Sequence, residues 1–296
     1  MIEKFVHAGI INPQDVNMLQ KACADKGKRV VFIDATFVLP TSTENIVKNF
    51  NEKRIQDAVF FDIKAIADKT SPLPHMLPYA EQFSAAMSAL GIRNDDLLIT
   101  YGQHSMVVGP ARAWWMFKGF GHHNVVVLNG SLPAWESANL PLDHNPPTAL
   151  APSTYTATTF NPQMVIGMHG VLEASNDALC PIIDARPAQR FHGESPEPRA
   201  GMRAGHMPNA SSVPSSALTD EHGLLKSREQ LTALFEQDAI ITQSKDSRII
   251  TTCGSGITAC ALVLALYHLD HHNVAVYDGS WSEWGLERSA TPISTT

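Results

Sequence analysis

The ten residues His122-His123-Asn124-Val125-Val126-Val127-Leu128-Asn129-Gly130-Ser131 return 149 positions later as His271-His272-Asn273-Val274-Ala275-Val276-Tyr277-Asp278-Gly279-Ser280, with Trp135 and Trp284 at the same spacing. At a spacing of 150, Asp34 in Val31-Phe32-Ile33-Asp34-Ala35 returns as Asp184 in Ile182-Ile183-Asp184-Ala185. A repeat at half the length of a 296-residue chain restricts the fold to one architecture written twice. The stretch from Pro141 to Pro162 is rich in Pro, Thr and Ala and has little apolar periodicity, which suits a solvent-exposed linker. The expected organisation is a first domain over 1–145, a linker over 146–162 and a second domain over 163–296.

Within each half, short β-branched runs alternate with segments of helix length. The runs are Val30 to Ile33, Leu97 to Thr100 and Val125 to Leu128, then Pro181 to Asp184, Arg248 to Thr252 and Val274 to Tyr277. Such runs read as buried parallel strands. Ala259 to Leu269 reads as a helix that is apolar nearly all round and therefore buried. The expected class is α/β, two tandem domains each with a mainly parallel sheet flanked by helices, and with sites beyond the strand C-termini. A net charge of −7 offers no broad cationic surface, so nucleic acid and anionic membrane are not expected partners. Four cysteines without close paired spacing suggest neither a disulfide framework nor a zinc site and favour a reducing compartment, with cytoplasm as the expectation. Met1-Ile2-Glu3-Lys4-Phe5 lacks an export-like basic start, and no run of about 18 apolar residues suggests a membrane span.

Cys253 follows Ile249-Ile250-Thr251-Thr252 and precedes Gly254-Ser255-Gly256, so its thiol sits where a strand ends and a helix begins. Glycines there permit unusual backbone angles, and a loop of this kind can turn successive N–H groups inward beside the positive end of the next helix. That environment suits a nucleophilic cysteine. Cys23, Cys180 and Cys260 lack such a neighbourhood and read as structural. A cysteine phosphatase would need an arginine six positions after the nucleophile, where Ala259 stands. An acyl-transferring Cys–His pair stays open with thirteen histidines available, but has no local support.

The loop Cys253-Gly254-Ser255-Gly256-Ile257-Thr258-Ala259 resembles that of the rhodanese superfamily, and within it the 3-mercaptopyruvate sulfurtransferases. The resemblance extends along most of the chain through Phe60-Phe61-Asp62-Ile63, His75-Met76-Leu77-Pro78, Trp114-Trp115-Met116-Phe117, Asp184-Ala185-Arg186, Gly205-His206-Met207-Pro208 and Tyr277-Asp278-Gly279-Ser280-Trp281-Ser282-Glu283-Trp284. It implies two rhodanese-like domains, the second carrying a persulfide on Cys253. The matching N-terminal loop, Tyr101-Gly102-Gln103, has no thiol. Thiosulfate sulfurtransferases carry Arg-Lys after the cysteine, whereas Gly254-Ser255 is neutral, which points to 3-mercaptopyruvate as donor. By the resemblance, Arg190 and Arg199 bind its carboxylate and keto oxygen, and planar guanidinium forks suit that task. Gly254, Gly256, Ile257 and Thr258 complete the substrate-binding loop. Ser255 and His75 match a proton relay that relatives complete with an acid. Lys64 occupies that acidic position here, so either Asp62 substitutes or the relay runs without a carboxylate.

The resemblance implies a thiol such as thioredoxin, or cyanide, as sulfur acceptor, with pyruvate released. No cofactor or metal is expected, because the pairs His122-His123 and His271-His272 lack completing ligands and read as architectural turns. Trp281 and Trp284 read as packing residues. Two other readings remain at this point, a thiosulfate:cyanide sulfurtransferase and a persulfide carrier module with little turnover of its own.

Overall fold

Runs such as Val125-Val126-Val127-Leu128 have no polar face to offer water, so they form strands only where helices cover the sheet. The computed structural model describes all residues except 40–41, 178–179, 238–239, 242–243 and 296. It contains two units. The first comprises Met1–Ala67, Pro78–Phe160 and Asp220–Leu225, and the second Asp68–Leu77, Asn161–Thr219 and Lys226–Thr296.

In the first unit, β1 (Ile10–Ile11), β2 (Val30–Asp34), β4 (Val59–Phe60), β5 (Leu97–Tyr101) and β6 (Val125–Leu128) form a sheet ordered β1-β6-β5-β2-β4, every pair parallel. A separate antiparallel ribbon joins β3 (Arg54–Ile55) to β7 (Leu142–Asp143). The second unit orders β8 (Val165–Ile166), β9 (Ile182–Asp184), β10 (Ala210–Ser212), β11 (Ile249–Thr252) and β12 (Val274–Tyr277) as β10-β9-β11-β12-β8, again all parallel. Read from its other edge, that is the order of the first sheet. The α/β class with parallel sheets flanked by helices therefore holds for both halves.

The register of each sheet refines the internal alignment. Asp34 lies opposite Tyr101, as Asp184 lies opposite Thr252. Ala35 N donates to Tyr101 O at 2.8 Å and Ala185 N to Thr252 O at 2.9 Å. Tyr101 is therefore the last residue of its strand rather than the start of the loop, and Gly102 holds the position of Cys253. The hydrogen bonds after the strands agree: Gly102 N donates to Ser131 Oγ at 3.2 Å and Cys253 N to Ser280 Oγ at 3.1 Å.

The helix Val108–Gly119 packs on β5 and β6 and is buried throughout. Its approach to β2 demands glycine, since a Cβ on Gly109 would lie 2.1 Å from Ala35 O. Ala259–His268 packs on β11 and β12 with its first eight residues buried, in keeping with its apolar circumference. His122 and His271 are buried in matching turns. The His122 ring stacks on Tyr155 at 5.8 Å, and its Nε2 donates to Asp96 O at 3.0 Å. Residues 144–161 hold no helix or strand and are mostly exposed, yet Tyr155 is buried and Phe160 packs against Trp115 and Phe120. These aromatic anchors attach the stretch read as a linker to the first unit as far as Phe160. No helix among the described residues is long and apolar enough to cross a membrane.

Candidate active site

Cys253 leaves the end of β11 with a buried, free thiol. Gly256 turns the chain at φ +77°, a conformation that a side chain would strain, and the helix starts at Ala259. A second short helix, Ser280–Trp284, holds the loop from beneath. Trp281 N donates to Cys253 O at 2.9 Å, and Ser282 N and Oγ donate to Gly254 O at 2.9 and 2.5 Å. Ser280 Oγ accepts from both Cys253 N and Gly256 N at 3.1 Å while donating to Tyr277 O at 2.7 Å. Those two N–H groups are thus withdrawn from the expected nest. Among the described residues, the N–H groups of Gly254, Ser255, Ile257 and Thr258 have no protein acceptor, and they adjoin the N-terminus of Ala259–His268. Such a cluster suits an anion.

Ser255, nearly buried, places its Oγ 3.1 Å from Nδ1 of His75. His75 comes from Asp68–Leu77, a stretch of the N-terminal half that belongs to the second unit. Its φ of +61° is unusual for a residue with a side chain, and backbone held in such a region is a pointer to function. Two bonds hold it there: Leu77 N donates to the buried Asp278 carboxylate at 2.7 Å, and Asp68 N donates to Met76 O at 3.0 Å.

Arg190 and Arg199 both reach the cysteine loop. A Cβ on Gly254 would lie 3.4 Å from Arg190 Nη2, so that guanidinium lies against the residue after the thiol. Arg199 Nη1 donates to Ser282 Oγ at 3.4 Å, and Ser282 is the residue bonded to Gly254 O. Burial, and then repulsion from Arg190, hold the Arg199 pKa below the ordinary arginine value, with the nearby Cys253 and Glu197 pulling the other way. Arg186 is buried between Asp184 and Glu197, with its guanidinium 4.1 Å from the centre of the Trp281 ring.

The structure brings Cys253, Ser255, His75, Arg190, Arg199, Gly254, Gly256, Ile257 and Thr258 together in the second unit. Asp62 belongs to the first unit, where its carboxylate caps the helix Ile63–Ile66 by accepting from Ala65 N at 2.9 Å. That is a structural employment which its sequence context did not reveal. Sequence reasoning missed Ser280, Ser282, Asp278 and Glu197. The first and third stand inside the repeated Asn129-Gly130-Ser131 and Asp278-Gly279-Ser280, so the repeat itself was their signal. Cys260 is buried with its Sγ 3.3 Å from Gly256 O, and Cys23 is buried in the core of the first unit. Among the described residues, no three His, Cys, Asp or Glu side chains gather as a metal site.

A family model described as Rhodanese-like domain matches residues 15–138 and 169–287. The chain is 44% identical over 265 residues to the 3-mercaptopyruvate sulfurtransferase of Escherichia coli (strain K12), covering 89% of this chain and 92% of that one. It is 35% identical to the 3-mercaptopyruvate sulfurtransferase of Homo sapiens, covering 87% and 86%. The crystal structure of SseA from Escherichia coli, a 3-mercaptopyruvate sulfotransferase, superposes with a TM-score of 0.78 at 38% identity over 92% of this chain and 98% of that one.

Proposed function

This chain belongs to the rhodanese-like family, and from that premise we propose that it is a sulfurtransferase moving sulfur from 3-mercaptopyruvate, through a persulfide on Cys253, to a thiol or cyanide acceptor. The observation that carries the choice of donor is the pair Arg190 and Arg199, both in reach of a cysteine loop whose own side chains are uncharged.

The Cys253 thiolate attacks the sulfur of 3-mercaptopyruvate while the guanidinium groups hold the substrate carboxylate and keto oxygen. The Cys253–sulfur bond forms as the substrate carbon–sulfur bond breaks, and the electron pair leaves on carbon as the enolate of pyruvate. The proton of the substrate thiol, passed along Ser255 Oγ and His75 Nδ1, 3.1 Å apart, converts the enolate to pyruvate and leaves the persulfide as an anion. The unpaired N–H groups of the loop stabilise the persulfide anion. An acceptor thiolate, such as that of a reduced thioredoxin, or cyanide then attacks the outer sulfur and releases the Cys253 thiolate. The catalytic unit is the C-terminal domain, with the N-terminal domain carrying Gly102 where a thiol would be. A cytoplasmic location accords with the free thiols.

The test is a steady-state comparison of kcat/KM for 3-mercaptopyruvate and thiosulfate with one common acceptor, with Cys253→Ser as blank. A preference for 3-mercaptopyruvate of about tenfold or more, roughly 1.4 kcal/mol of transition-state binding, is expected. An equal or reversed preference would retire 3-mercaptopyruvate as the donor, and full turnover by Cys253→Ser would remove the persulfide.

A further inference from the structure

The carboxylate of Glu197, almost completely buried, is shared by two arginines. Its Oε1 accepts from Arg186 Nη1 at 2.8 Å and from Arg190 Nε at 3.2 Å, and its Oε2 accepts from Arg190 Nη2. The Nε–Nη2 edge of Arg190 is therefore closed by a two-point fork. The end of the guanidinium, Nη1 and the outward hydrogen of Nη2, is left facing Gly254.

Glu197 is itself held from behind. Arg186 is locked by Asp184 through Nε at 2.8 Å, by Gly205 O through Nη2 at 2.8 Å, and by the Trp281 ring. Trp281 N in turn binds Cys253 O. The contacts close a ring from Cys253 through Trp281, Arg186, Glu197 and Arg190 back to Gly254. A rotation of Arg190 about its long side chain would break the fork, so the orientation of its free end is imposed by Glu197.

The same carboxylate sets the charge of the site. Three guanidinium groups, Arg186, Arg190 and Arg199, face two carboxylates, Asp184 and Glu197, leaving one net positive charge to balance the Cys253 thiolate. Neutralising Glu197 adds one unit of positive charge to that balance, and the added unit favours a dianionic donor more than a monoanionic one.

We propose that Glu197 is a positioning and specificity-determining residue. It fixes the free end of Arg190 toward the substrate carboxylate, and its charge holds the site to monoanionic donors against dianionic ones. This rests on the reading of Cys253 as a sulfur-transferring thiol with Arg190 in its donor site.

The experiment uses the full chain and one acceptor, cyanide, with 3-mercaptopyruvate as the monoanionic donor and thiosulfate as the dianionic one. Wild type, Glu197→Gln and Glu197→Asp are compared. Glu197→Gln is expected to raise KM for 3-mercaptopyruvate more than it lowers kcat, and to raise the ratio of kcat/KM for thiosulfate over 3-mercaptopyruvate roughly tenfold or more. A charge gained at several Å in a partly buried site is worth that much to a doubly charged ligand. Glu197→Asp keeps the charge but shortens the reach, so its KM should rise with the donor ratio staying within about threefold of wild type.

A merely structural Glu197 would lower both donors in proportion and leave the ratio unmoved, and that result overturns the proposal. If Glu197→Gln does not fold, Glu197→Asp decides, because a tenfold change of donor ratio in a variant that retains the charge is incompatible with charge as the cause. A wild type with no activity on 3-mercaptopyruvate would refute the donor reading and, with it, Glu197 as a guard for that donor. Activity on 3-mercaptopyruvate with an unmoved ratio in Glu197→Gln refutes only the role of Glu197.

Discussion

Ser280→Ala isolates the hydrogen bonding of the cysteine loop, because the chain carries its own control. Ser280 and Ser131 occupy equivalent positions and share a left-handed backbone, with φ of +50° and +55°, so conformational strain cancels when the two alanine variants are compared. Ser280 Oγ accepts from two buried N–H groups, those of Cys253 and Gly256, whereas Ser131 Oγ accepts from Gly102 N. Both serines are fully enclosed, which leaves little room for water to replace the hydroxyl. A buried donor left without a partner costs about 1–3 kcal/mol, so Ser280→Ala should destabilise its unit by about 2–6 kcal/mol and Ser131→Ala its own by about 1–3 kcal/mol. Urea unfolding followed by circular dichroism and tryptophan fluorescence reads both, with separate transitions fitted if the units do not unfold together. Activity separates them further: Ser280→Ala should lower kcat/KM because the N–H groups around Cys253 lose their fixed orientation, while Ser131→Ala should leave it within about twofold. Equal costs for the two variants, or a cost below about 1 kcal/mol for Ser280→Ala, would refute the assignment of two loop hydrogen bonds to that hydroxyl.

Three other outcomes follow from the geometry. Asp278→Ala removes the acceptor of Leu77 N and frees the segment that holds His75 in its left-handed conformation, so kcat should fall by about tenfold with little change in KM, read from steady-state kinetics. Arg199→Ala should raise KM for 3-mercaptopyruvate by about tenfold or more while sparing transfer from an uncharged persulfide donor, because a carboxylate loses one guanidinium partner. Burial lowers the pKa of His122 to about 4, against about 6.5 in the unfolded chain, so the stability this group contributes is complete above pH 6.5 and is lost as pH falls toward 4. The loss amounts to about 3 kcal/mol and should flatten in His122→Gln when urea midpoints are compared between pH 7 and pH 4.5.

Much of the architecture was legible because it is local or repeated. The recurrence of His122 to Ser131 as His271 to Ser280 required two copies of one plan, β-branched runs required buried parallel strands, and Cys253 between Thr252 and Gly254 had to emerge where a strand meets a helix. The internal alignment was legible only to within one residue. Nothing in Tyr101-Gly102 says which residue pairs with Asp34, since sheet register is decided by hydrogen bonds between strands far apart in sequence. The site divides along the same line. Cys253 could be named from its place between a strand and a glycine loop, and Ser255, Arg190 and Arg199 from the resemblance to the rhodanese superfamily, but their partners could not.

Only the tertiary structure decided that Asp68–Leu77 folds with the second unit and sets His75 against Ser255, and that Asp220–Leu225 folds with the first. It alone assigned Asp62 to a helix cap and put a buried Glu197 between two arginines. Periodicity and motif report on neighbours along the chain, whereas the orientation of a guanidinium or an imidazole depends on groups tens to hundreds of residues away. The sequence by itself determined the twofold plan and the place of Cys253 at the end of a strand. The directions in which the guanidinium and imidazole groups around that thiol point were determined by packing.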